Sequence, residues 1–89
     1  MTPRPAPHVI RWFLRATGFG GITLPPFGIF ILPERLHQGW LVRHEQAHWQ
    51  QAQRMGVARW AITYLFYNVR YGYWDNPLEV EARAAELSS

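Results

Sequence analysis

At 89 residues, with no cysteine and a net charge of +3, the chain excludes several classes at once. Neither a disulfide framework nor a thiolate zinc site can form, so any metal must be held by His, Asp or Glu. Every basic side chain is an arginine, and the charge is too modest and too scattered along the sequence to imply nucleic acid.

The length fits one small domain that buries only about 60–65% of its unfolded surface, so stability is thin and a bound ion can add to it. Aromatic residues make up 16% of the chain, with five tryptophans. Such rings give a small core most of its buried area. A surplus of them also suits a partner interface, a homodimer contact or peripheral contact with a membrane.

Residues 1–7 hold three prolines and no apolar period, and read as a flexible leader, extended or disordered. No unbroken apolar run follows the charge, so a secretory signal is not expected and the location implied is cytoplasmic, with membrane association as an option. Residues 8–89 are expected to form the single domain. A short amphipathic helix is predicted over 8–17, with Val9, Trp12 and Phe13 on one side and Arg11 and Arg15 nearer the other. Its plain role is packing onto the domain; its arginines and Trp12 would also let it lie on an anionic membrane.

Residues 16–33 contain no charge, but their glycines and prolines argue against a membrane-spanning helix. Two short strands, 21–24 and 27–32, are predicted instead, meeting at Pro25-Pro26. A free strand edge of this kind can align an extended peptide by backbone pairing. Residues 33–39 read as a turn, with His37 a surface residue cut off by Gly39.

The main helix is predicted over 40–55, with Leu41, Ala52 and Met55 continuing the stripe that holds His44 and His48, and with Gly56 closing it. A second helix over 57–71 is so apolar and aromatic that burial over much of its circumference is expected, antiparallel to the first. Gly72 ends it. Asn76-Pro77 then opens a last helix over 77–86 as N-cap and first helical residue, turning Leu78, Ala82 and Ala85 to the core. The class expected is mainly α (α+β): three to four helices with a small β-hairpin.

Within the main helix, His44-Glu45-Gln46-Ala47-His48 sets two imidazoles one turn apart on one face. Two such nitrogens can grip one cation, and zinc accepts imidazole in a tetrahedral shell that leaves a position for water. Glu45 leaves the helix beside them, where it can take a proton from that water as it attacks a carbonyl. A third ligand is then wanted from the last helix. Glu79 and Glu81 flank its apolar stripe at similar angles, and helical geometry does not choose between them. Each also has a quiet role: Glu79 in a capping box or a pair with Arg83, Glu81 near a positive helix end.

The His-Glu block, followed by Asn76-Pro77-Leu78-Glu79-Val80-Glu81-Ala82, resembles the zincin metallopeptidases, specifically the gluzincin branch, over about residues 40–87. It is also similar to small bacterial and phage proteins that carry the same two blocks. The resemblance implies His44 and His48 as zinc ligands, Glu45 as general base and peptide bonds as substrate. It puts the third ligand on Glu79, through the Glu79-to-Ala82 spacing, with Glu81 as rival. An Asp75 shell is a further variant, and Tyr71 or Tyr73 could steady the oxyanion. Metzincins do not fit, because their third histidine would fall at Arg54 and their glycine at Gln51. The chain also lacks room for the larger sheet and second subdomain that typical members carry. The other class kept open is an inactive zincin-like module that binds a protein partner or membrane.

Overall fold

In the computed structural model, which describes residues 2–87, the chain folds into four α-helices and a small three-stranded sheet. The strands are β1 (Arg4–Pro5), β2 (Gly21–Leu24) and β3 (Gly28–Ile31); the helices are α1 (His8–Thr17), α2 (Gly39–Met55), α3 (Val57–Asp75) and α4 (Pro77–Ala85). A single 3-10 turn at Pro33–Arg35 joins the sheet to α2.

β3 is the central strand, with β2 antiparallel on one side and β1 parallel on the other. Successive side chains of a strand point to opposite faces, and the core divides accordingly. Ile29 and Ile31 pack with Leu41 of α2, whereas Leu32 packs with Ala6 and Leu14 of α1 on the other face, beside Phe30. The layers are therefore α1, sheet, α2, and then α3 with α4. Each fully buried Leu or Ile contributes roughly 1.5–3 kcal/mol.

Residues 2–7, expected as an extended or disordered leader, lie extended along the sheet. Arg4–Pro5 adds a parallel strand to β3, Ala6 N–H donates to the Ile31 carbonyl at 2.9 Å, and the Arg11 guanidinium holds the Ala6 carbonyl. Prolines are tolerated because β1 is an edge strand. The expected hairpin is thereby one part of a three-stranded sheet. Met1 lies outside the described residues.

α2 ends at Gly56, whose φ of 89° is open to glycine at little cost, and the Gly56 N–H closes on the Ala52 carbonyl. Gly72, with φ of 81°, kinks α3 where the sequence predicts its end, and one short turn continues to Asp75. Asn76 caps α4 by accepting from the Leu78 N–H at 2.8 Å, with Pro77 in the first turn.

The expected burial of α3 over much of its circumference is overturned, and α1 packs through a side other than the one that holds Val9, Trp12 and Phe13. On α1 it is Leu14 and Ile10 that face the sheet, while Val9, Trp12 and Phe13 are exposed. On α3 only Trp60 is buried; Ile62, Leu65, Phe66 and Val69 face outward. The cause is size: one face of α3 packs on Ala52 and Leu78, and among the described residues no further layer covers the other. No helix of the described residues is long and apolar enough to cross a membrane.

Candidate metal centre

His44 and His48 lie one turn apart on the buried face of α2, and α4 carries Glu79 to meet them. His44 Nε2 is 2.9 Å and His48 Nε2 is 3.0 Å from the same atom, Glu79 Oε1. One ligand atom from each of the three residues lies within 4.8 Å of the others, and all three residues are buried. The cluster could hold a metal ion.

Each ring also has an acceptor on its far side. His44 Nδ1 faces Glu86 Oε2 at 2.6 Å and His48 Nδ1 faces Gln51 Oε1 at 3.0 Å. The Gln51 amide cannot be turned round, because Trp60 Nε1–H is only a donor and reaches the same Oε1 at 3.2 Å. Gln51 Nε2 donates instead to the Leu78 carbonyl and to Glu81 Oε1. Each ring thus faces acceptors at both nitrogens, and with a proton at Nδ1 given to the far partner its Nε2 is left as a lone pair aimed at Glu79 Oε1. Three acceptors around one point need a cation between them, whether protons on the rings or a metal ion.

The electrostatics agree. Burial is the largest single influence and disfavours charge on both histidines, yet the Glu79 hydrogen bond and the nearby carboxylates, with Glu86 for His44, together outweigh it and raise both pKa values. Burial works against ionised Glu79 as well, but His44 and His48 hold its pKa well below the carboxylate range. Glu79 Oε2 also accepts from the Tyr64 hydroxyl. Burial and the Glu79 charge push the Tyr64 phenol far up, so it stays a donor.

Glu45 is buried beside the cluster, and burial raises its pKa against the pull of His48 and His44. The Thr23 hydroxyl of β2 lies 2.9 Å from Glu45 Oε1 and 2.9 Å from the Glu45 carbonyl, which ties this side chain to the sheet. Above these groups opens a cleft of about 610 Å³, walled by β2 on one side and by Trp60, Leu65, Tyr73 and Trp74 of α3 on the other.

Of the two acids on α4, Glu79 joins the histidines and Glu81 does not: Glu81 is exposed and meets Gln51 and Arg54. Asp75 is exposed at the end of α3 and outside the cluster. Tyr73 lines the cleft, its phenol pushed up to about 12 chiefly by burial, whereas Tyr71 stacks near Tyr67 away from it. His37 is exposed. Sequence reasoning missed Gln51, Tyr64, Trp60 and Glu86. Gln51 three residues after His48 and Tyr64 on the following helix were the available signals; the Glu86 contact spans 42 residues and had none.

No family model, curated protein or solved structure matches this chain.

Proposed function

We propose that the chain is a minimal zinc-dependent metallopeptidase, of the kind its His-Glu block and later Glu resemble. The observation that carries the reading is the convergence of His44 Nε2, His48 Nε2 and Glu79 Oε1 with both Nδ1 positions already taken. The nitrogen-to-oxygen separations of 2.9 and 3.0 Å are a little under the ~3.3 Å between ligands of a tetrahedral zinc ion, so a small adjustment suffices. An all-His/carboxylate set suits zinc, and three protein ligands leave a position open. When bound, the ion would polarise a carbonyl and make water a nucleophile near neutral pH.

The protein's own groups have separable tasks. Glu45, held at Oε1 by Thr23, keeps its other oxygen for the proton of an attacking water and hands it to the leaving amine. Its raised pKa suits both directions of transfer. Tyr73, still protonated at neutral pH, can donate to the oxygen that gains charge in the carbonyl. β2 is an edge strand along the cleft, where an extended polypeptide can pair with its backbone.

The test is hydrolysis of an unstructured protein such as casein by zinc-loaded wild type and Glu45→Gln. Loss of cleavage with zinc content unchanged supports the reading; equal cleavage by both excludes it. A second reading, a zinc-stabilised binding module without turnover, is favoured by the exposed apolar face of α3. It predicts a zinc-loaded wild type that cleaves nothing.

A further inference from the structure

Two helix stripes without partners run to the two lips of the cleft. Val9, Trp12 and Phe13 recur at i, i+3 and i+4 on α1; Ile62, Leu65, Phe66 and Val69 recur at i, i+3, i+4 and i+7 on α3. This spacing normally marks the buried side of a helix. Here Trp12 is 72% and Val69 90% exposed. Phe13 and Leu65 both line the cleft, so each stripe reaches its mouth at one residue.

The two helices carry almost only positive charge, although Arg15 of α1 is paired with Glu34 and Arg11 holds the Ala6 carbonyl, so the free positive charge lies on α3. α1 carries Arg11 and Arg15 and no acid, and α3 carries Arg59 and Arg70 with no acid before Asp75 at its end. The carboxylates elsewhere are occupied: Glu45 and Glu79 in the site, Glu34 and Glu81 against Arg15 and Arg54, Glu86 against His44. Arg59 is exposed with no ion-pair partner among the described residues, and Arg70 meets only the face of Tyr71.

We propose that the α1–α3 rim docks onto an anionic lipid surface, with the mouth of the cleft turned towards the headgroups. Apolar and aromatic side chains would enter the headgroup boundary while arginines meet phosphates, which is how an interfacial helix holds a membrane without spanning it. A second copy of the chain fits this rim less well. Two such rims would bring arginines together with no carboxylate on either stripe to meet them. Taken with the peptidase reading, on which the docking does not depend, the substrates reaching the cleft are polypeptide segments at the membrane surface.

Flotation of the full chain with phosphatidylcholine vesicles, with and without phosphatidylglycerol, tests this without any substrate. The protein should float with the anionic vesicles alone, and less so as salt rises. Phe66→Ser with Val69→Ser, and separately Arg59→Glu with Arg70→Glu, should each weaken binding about 10-fold or more at unchanged zinc content and circular dichroism. No flotation with anionic vesicles, or equal flotation with neutral ones, would overturn the proposal. So would a stable dimer in solution that the Phe66 and Val69 substitutions dissociate, since the rim would then be a contact between copies.

Discussion

His44 Nδ1 stands 2.6 Å from Glu86 Oε2, a contact between the middle of α2 and the end of α4 that spans 42 residues of chain. The same last turn is held again by Arg43, whose guanidinium donates to the Glu86 carbonyl at 2.7 and 3.1 Å. Neighbours of this sort fix the ring that does the ligating and raise its basicity. Glu86→Gln is therefore expected to lower zinc affinity roughly 10- to 100-fold while leaving the fold intact. Competition against a chromogenic chelator reads this, and an unchanged affinity would mean that the contact does not orient His44.

Gln51 is fully buried and holds His48, Trp60, Leu78 and Glu81 at once. Gln51→Leu keeps the volume but strips the acceptor from a buried indole N–H and from the His48 Nδ1 side. Each orphaned group costs about 1–3 kcal/mol, so metal-free protein should lose on the order of 2–5 kcal/mol in urea unfolding. Gln51→Glu retains an acceptor for His48 and Trp60 and should bring back part of the zinc affinity that Gln51→Leu loses.

Glu81 is the control for Glu79. Its contact with Arg54 is 3.2 Å long with both side chains more than half exposed, so the pair is worth little. Glu81→Gln should change urea stability by less than about 1 kcal/mol and leave zinc stoichiometry unaltered. If zinc were lost with Glu81→Gln and kept with Glu79→Gln, the assignment of the third ligand would be reversed.

Much of this arrangement is legible in the chain because it is local. The His44–His48 turn, the positive-φ stop at Gly56 and the Asn76-Pro77 cap each follow from a few neighbouring residues. Glu79 against Glu81 is different. Both flank one stripe, and only the docking of α4 on α2, with Gln51 gripping the Leu78 carbonyl, turns Glu79 inward. β1 is hidden for a related reason: residues 2–7 have no strand pattern of their own and are ordered by the β3 edge and by a pocket for Ala6. α3 misleads because an apolar stripe says that a face seeks cover, and the described residues do not supply it.

Metal should also stabilise the fold, since the three ligands come from two helices and no site exists in the unfolded chain. At zinc 100-fold above Kd the gain is about 2.7 kcal/mol, seen as a higher Tm that excess chelator removes. Because ligating imidazoles must give up a proton at Nε2, the zinc-dependent part of Tm should shrink as pH falls. A Tm indifferent to chelator at neutral pH would speak against a site that binds.

The most direct test is the zinc content of protein incubated with the metal and freed of excess, measured by atomic emission. Wild type should hold one equivalent per chain, and His44→Ala and Glu79→Gln should hold none while keeping wild-type circular dichroism. Equal zinc in wild type and His44→Ala, or none in wild type, would contradict a metal centre built from His44, His48 and Glu79.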